Sequence, residues 1–263
     1  MKKVSPRLCS LALPMVLALS TILIACTTVP EMGRSSFNFI PNTHLSQMGL
    51  TEFEKMKKDK RRSYNSTQLA AVNRVATRLK RVVPLRNANW EFVLFDDSQP
   101  NAFALPGGKV GVNSGIFKVA HNDAQLAAVL GHELAHVVAG HSGERMSTSI
   151  LGAAGVAVLG AMLGQEGGPD ANIATTAAGA AVGLGVLRFG RGQELEADKM
   201  GAIYMARGGY DPQQSIQLWQ NFAAHSRSKS GAQLPAFLST HPLDSTRIES
   251  LRAFMPRAMQ EYH

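Results

Sequence analysis

Cysteine is almost missing from this sequence: two occur among 263 residues, Cys9 and Cys26. Both stand near the amino terminus, so the rest of the chain has no thiol from which a disulfide framework could be built. A long apolar run is missing as well. Leu8–Ile24 is short for a bilayer span and is interrupted by Pro14 and several hydroxyls. With Lys2, Lys3 and Arg7 before it and Leu23-Ile24-Ala25-Cys26 at its end, it reads as a bacterial lipoprotein signal of residues 1–25, cleaved before Cys26. An ordinary signal peptide and a membrane anchor are the alternatives. Cleavage would leave 238 residues of the 263 and, with three basic residues gone, a formal charge of +5 instead of +8. That length suits one sizeable domain, held by its core rather than by disulfides. Nucleic acid is not an expected partner of an exported lipoprotein, despite a sequence pI near 9.7.

The signal implies lipid on Cys26, and Thr27 rather than aspartate behind it resembles enterobacterial sorting to the outer membrane, facing the periplasm. Residues 26–44 then read as a lipid-anchored tether, because Thr27–Pro41 has Pro30, Gly33 and Pro41 but no sustained period. The domain is expected over residues 45–263. Thr51–Arg62 is polar and helix-prone, and it reads either as a solvated helix face or as a contact for anionic headgroups. Thr67–Val83 carries Leu69, Val72, Val75, Ala76 and Leu79 on one helical stripe. Trp90–Phe95 reads as a strand, and two short arms around Pro106-Gly107-Gly108 read as a hairpin. Its first arm, Asn101, Ala102, Phe103 and Ala104, is a candidate edge for an extended peptide; a purely structural hairpin is the other reading.

The chemistry centres on His132-Glu133-Leu134-Ala135-His136, inside an apolar helical run that Asp123 would cap. Residues advance about 100° each on a helix, so the two histidines lie about 40° apart, one turn above the other. They can share one zinc ion, with Glu133 beside an open position as the base that activates water. Two histidines do not complete such a site. A third histidine at the spacing His-x-x-Gly-x-x-His is lacking, for Gly140 falls one residue late and His141 one early. On a continued helix His141 would point about 140° from His136, as a surface or outer-sphere histidine. The third ligand is therefore expected from Gln193-Glu-Leu-Glu-Ala-Asp198. Glu194 shares a face with Asp198, which can hold a ligand imidazole, whereas Glu196 points about 200° away and has no such partner.

Ile150–Leu187 is Ala/Gly-rich and uncharged in both its arms, with a turn at Gln165–Asp170. Residues 150–187 read as a helical hairpin insert; membrane contact and a lid are the alternatives. Asp211-Pro212 is expected to open one later helix and Asp244 to cap another.

His-Glu-Leu-Ala-His, the Glu194 motif and Thr240-His-Pro-Leu-Asp-Ser-Thr-Arg247, taken in order, resemble the HtpX/CAAX-prenyl-protease type of gluzincin zinc peptidase. The hairpin Asn101–Val110 matches the segment before the zinc helix in that family. The resemblance runs from about Leu45 onwards, and with the lipoprotein signal it is nearest to outer-membrane lipoprotein members. It implies one zinc held by His132, His136 and Glu194, with Glu133 as base and Asp198 behind a ligand. It also implies an active-site role for His241, as oxyanion donor or as a resting fourth ligand; a backbone-bonded histidine is the plain alternative. The expected fold is α+β and predominantly helical, a zincin domain with a small sheet and an edge hairpin beside the metal helix. The expected function is envelope proteolysis of misfolded or misassembled polypeptides, with other quality-control proteins as possible partners. A metal-binding, chaperone-like assembly factor is the rival.

Overall fold

Side chains that alternate between two apolar clusters along three short strands build the sheet on which the metal helix rests. The computed structural model describes residues 26–85, 88–162, 189–228, 236–242 and 244–263. Strands β3 (Glu91–Phe95), β4 (Ala102–Leu105) and β5 (Lys109–Asn113) lie in the order β3-β5-β4, β5 parallel to β3 and antiparallel to β4. Leu94, Ala102, Ala104, Val110 and Val112 face the main core, while Val93, Phe95, Phe103 and Leu105 face a second cluster with Leu45, Phe53 and Met146. Such period-two segregation is what a sheet covered on both sides requires. Pro106-Gly107-Gly108 forms the expected turn between β4 and β5, with φ of +83° and +87° at its glycines.

Helix α1 (Asn42–Asp59) covers the second cluster, and its Phe53 is fully buried there. Helix α2 (Ser66–Val82) matches the expected stripe, with Val72, Val75, Ala76 and Leu79 buried and Asn65 as its cap. Helix α3 (Asp123–Val138) carries the metal motif and is buried at every residue from Gln125 to His136. A helix enclosed on all sides has little amphipathic contrast, and α2, β4, α5 (Arg191–Arg207) and α6 (Gln214–Ser228) all pack on it. Its cap is Asn122, whose side chain accepts from the Gln125 amide at 2.9 Å; Asp123, expected in that role, is the first helical residue and pairs with Arg74. The α3–α5 crossing is close because both helices present glycine. A Cβ on Gly201 would stand 2.9 Å from the His132 nitrogen, and one on Gly131 would stand 3.0 Å from the Gly201 carbonyl oxygen.

Helix α4 (His141–Met162) follows at once, and α7 (Ala236–Thr240) and α8 (Ser245–Met259) complete the helical side. Asp244 caps α8 as expected, accepting from the Arg247 amide at 3.1 Å. Asp211-Pro212 forms a turn, and α6 starts after it at Gln214, two residues later than expected. The Ala/Gly-rich stretch is helical as far as Met162; most of the expected hairpin insert lies outside the described residues. No helix among the described residues is long and apolar enough to cross a membrane.

The segment expected as a tether carries regular structure of its own. β1 (Cys26–Thr28) and β2 (Ser35–Phe37) pair antiparallel, and the loop between them docks on the domain. Val29 is buried in the main core, Glu31 pairs with Arg207 at 2.6 Å, and the Phe39 amide donates to Ser147 Oγ at 3.2 Å. An aperiodic, turn-rich segment can still be ordered by contacts made far along the chain, and periodicity does not report those contacts.

Candidate metal centre

The turn of α3 sets His132 and His136 side by side, their Nε2 atoms 3.1 Å apart. Helix α5 brings Glu194 against both from its first turn: Oε2 lies 3.4 Å from His132 Nε2 and Oε1 3.5 Å from His136 Nε2. The loop after α7 adds His241, whose amide is fixed on the Phe237 carbonyl at 2.8 Å. Its Nδ1 stands 3.3 Å from His132 Nε2 and 3.0 Å from Glu194 Oε1. All four side chains are buried, and their donor atoms lie within 4.8 Å of one another.

This cage fits zinc. The edge of a tetrahedron with zinc bonds of about 2.0–2.1 Å is about 3.3–3.4 Å. The contacts just given, 3.0 to 3.5 Å, cluster around that length. Three imidazoles and one carboxylate form a donor set suited to zinc rather than to the oxygen-seeking calcium or magnesium. His132, His136 and Glu194 would hold the ion, and His241 would close the fourth side.

The electrostatics agree with a cation site. Burial alone would push the Glu194 carboxyl up, yet the imidazoles of His241, His132 and His136 hold it well below the usual carboxylate range. Burial drives His136 well below the usual imidazole range, which leaves it neutral, as a ligand must be. His132 also feels burial, but Asp198 and Glu194 outweigh it and push it up to about 9, a proton that a metal would displace. Glu133 is raised, chiefly by burial, with His241 and His132 opposing.

Asp198 lies behind His132, with Oδ1 2.9 Å from its Nδ1. Arg247, which sequence reasoning missed as a site residue, backs Asp198 with two hydrogen bonds of 2.7 and 2.8 Å. It is fully buried, stacks 4.2 Å over the Trp219 ring, and puts Nη1 2.8 Å from Glu194 Oε2. That last contact is an ion pair without hydrogen-bond alignment, since Glu194 Oε2 has no hydrogen-bond partner. Two phenylalanines wall the cage. Phe189 stacks on His136 at 3.9 Å between ring centres, and Phe237 stacks on His241 at 4.5 Å.

One expectation fails. His141 does not point away from His136; it is fully buried, with its Nδ1 2.7 Å from His136 Nδ1. Gly140, at φ +68°, ends α3 and turns the chain, so the helical projection stops one residue before His141. Glu196, passed over as a ligand, stays outside the cage and meets this same histidine, 2.8 Å from His141 Nε2.

Glu133 is held by the sheet. The Ala104 amide donates to its Oε2 at 3.0 Å, while Oε1 has no hydrogen-bond partner and lies 3.4 Å from His241 Nε2. An amide turned toward Glu133 is turned away from β5, so Ala104 and, by alternation, Ala102 present backbone groups to the outer edge of β4. Asn101 and Phe103 bond or face inward to β5, the Asn101 carbonyl accepting from the Asn113 amide at 2.9 Å. On the other side of His136, a cavity of about 710 Å³ runs between the N-terminal hairpin and the end of α3, lined by Val29, Ile40, Leu45, Pro106 and Val137 among others.

Comparison with known proteins gives this geometry a context. The model of peptidase family M48 matches residues 66–255. The mitochondrial metalloendopeptidase OMA1 of Saccharomyces cerevisiae is 36% identical over 186 residues, covering 68% of this chain and 50% of that protein. Its counterpart in Schizosaccharomyces pombe is 36% identical over 196 residues, covering 74% and 55%. The beta-barrel assembly-enhancing protease of Yersinia pestis is 32% identical over 241 residues, covering 88% and 48%. The chain spans about half the length of these curated relatives.

Proposed function

The chain belongs to peptidase family M48 and carries its zinc-metallopeptidase domain, and from that premise we propose that it is an endopeptidase of the bacterial cell envelope, cleaving misfolded or misassembled polypeptides. The observation that carries the reading is the free oxygen of Glu133. Bound zinc would supply a Lewis acid that polarises the scissile carbonyl and lowers the pKa of the attacking water. Glu133 Oε2 is fixed on the Ala104 amide, which leaves Oε1 as the atom that takes the proton and returns it to the leaving amine. Burial lifts this carboxyl toward neutrality, which suits a group that must act first as base and then as acid. A substrate strand added to the outer edge at Asn101–Ala104 would carry its backbone past that oxygen, and the neighbouring cavity suits an apolar side chain.

His241 Nδ1 inside the cage supports a resting fourth ligand, a brake that must move before substrate enters. The same closure gives the rival, an assembly factor with little proteolysis, its one supporting observation. The lipid on Cys26, the outer-membrane position and the likeness to lipoprotein members of the HtpX/CAAX type rest on the amino-terminal sequence; Cys26→Ser with lipid labelling and membrane fractionation tests them. For the reaction, the test is a casein-type assay with zinc analysis. Glu133→Gln keeps about one zinc per chain and loses about 10²-fold or more of the activity, and unchanged turnover in the zinc-replete variant overturns the assignment. His241→Ala keeps its zinc and raises basal activity if the brake is real; an unchanged rate removes the brake, and a fall of about 10²-fold makes His241 an oxyanion donor instead.

A further inference from the structure

The N-terminal hairpin reaches the metal cage through side chains. Arg34, just before β2, forks between two carboxylates, with Nη1 2.8 Å from Glu144 Oε1 and Nη2 2.6 Å from Glu196 Oε2. Its Nε adds a bond of 2.8 Å to Glu196 Oε1. Glu196 Oε2 meets His141 Nε2 at 2.8 Å, and His141 Nδ1 meets His136 Nδ1 at 2.7 Å. A neutral imidazole carries one ring hydrogen, and the carboxylate end of this string sets which nitrogen of His141 holds it. Arg34 only donates and an ionised Glu196 only accepts, so His141 Nε2 is the donor to Glu196. His141 Nδ1 then carries a lone pair and accepts from His136 Nδ1–H. That leaves the His136 Nε2 lone pair aimed into the cage, 3.1 Å from His132 Nε2. We propose that Arg34, Glu196 and His141 are positioning residues for the metal ligand His136, which makes the hairpin that contributes Arg34 a working part of the metal centre.

The proposal reaches outside the residues that define the family, since Arg34 precedes the matched segment 66–255. It also accounts for a buried histidine pair that would otherwise set two ring nitrogens 2.7 Å apart without a purpose. Docking of the hairpin does not depend on the string alone. Val29 enters the core, and Glu31 pairs with Arg207, whose other partner is Glu261. This separates two roles for Arg34: holding the hairpin down, and holding Glu196 as the anion that orients His141.

The test is zinc affinity of the full chain, measured by competition with a chromophoric chelator, beside thermal unfolding of each variant. His141→Phe, which cannot accept from His136, weakens zinc binding by about 10–100-fold, the scale seen for outer-sphere partners of metal-bound histidines. His141→Gln, whose carboxamide accepts from His136, recovers most of that loss. Arg34→Ala weakens binding by about 3–10-fold, and the visible spectrum of the cobalt-substituted protein shifts with it. Arg207→Ala loosens the hairpin without touching the string and leaves affinity within about twofold of wild type. Folded Arg34→Ala that binds zinc as tightly as wild type overturns the proposal. So does an Arg207→Ala loss equal to that of Arg34→Ala, which would assign the effect to docking. Should His141→Phe fail to fold, the Arg34→Ala and Arg207→Ala pair still decides.

Discussion

Arg247 and Arg34 each end a string that runs through a carboxylate to a histidine of the metal cage, but Arg247 is 1% exposed and Arg34 36%. The first string, Arg247–Asp198–His132, stays within α8, α5 and α3, elements that also build the main core. The second, Arg34–Glu196–His141–His136, adds one more imidazole and leaves the core for the N-terminal hairpin. A buried guanidinium has no water to fall back on, so removing it strands two anions in a low-dielectric site. A half-exposed one can be replaced by water and salt. The inner string is therefore inseparable from stability, while the outer string can tune the ligand and leave the fold standing.

Deleting the two arginines in turn sharpens that contrast most. Arg247→Leu costs about 3–5 kcal/mol, because Asp198 and Glu194 lose their buried counter-charge. For a domain of this size that lowers Tm by roughly 10 °C in a thermal melt. Arg34→Leu costs less than about 1 kcal/mol. Equal losses would mean that the two strings do not differ in kind. The carboxylates come next. Asp198→Asn weakens zinc binding by about 10–100-fold, since His132 then lacks an anionic acceptor. Glu196→Gln acts through an additional imidazole and weakens it by about 3–10-fold. Glu194→Ala removes a donor and strips the metal, so zinc analysis of the three variants ranks the carboxylates on one scale.

The smallest effect is acid release of the hairpin. Burial would raise the Glu196 and Glu144 carboxyls, but His141 and Arg34 on the first, and Arg34 and Gln193 on the second, hold both below the ordinary carboxylate range. The stability that they contribute is complete above the unfolded glutamate pKa of about 4.3 and is lost as pH falls through their lower folded values. Amide exchange at Val29 and Gly33, which donate to the Arg34 and Val29 carbonyls, should lose protection over that window before the α3 core does. Joint loss at all these amides would place the hairpin and the core in one cooperative unit.

Local patterns carried the sequence reading far where the chemistry was local. The histidine spacing, the shared face of Glu194 and Asp198, the β4–β5 turn and the Asp244 cap all lie within one element or one turn, where periodicity applies. Gly140 shows the limit. The angle computed for His141 assumed a helix that a left-handed residue had already ended, and the sequence did carry a glycine at that position as a warning. The contact of Glu196 with His141 went unseen for the same reason, because it depends on where that histidine turns. Arg247 and Arg34 lay beyond reach. Each meets its carboxylates across 49 or more residues of sequence, and neither spacing nor hydropathy records such contacts. The docking of Val29 and Glu31 was not legible because the first joins a core cluster and the second meets Arg207, both set by the tertiary fold.

The glycine contact between α3 and α5 bears on which ion the protein admits. The histidine pair belongs to one helix and Glu194 to the other, so the distance between those helices sets the span from the pair to the carboxylate. Gly131 and Gly201 meet with backbone against backbone, where an added Cβ would fall 2.9 to 3.0 Å from the opposing chain. No side chain remains there to shrink or swell, which makes the spacing a fixed gauge rather than an adjustable fit. A gauge of that kind holds the donors at the span of a small four-coordinate ion whatever ion arrives. Calcium and magnesium, abundant competitors that require wider or six-coordinate oxygen shells, cannot enlarge it cheaply. The contact of two helices thus adds a geometric preference to the one that three imidazoles and a carboxylate express.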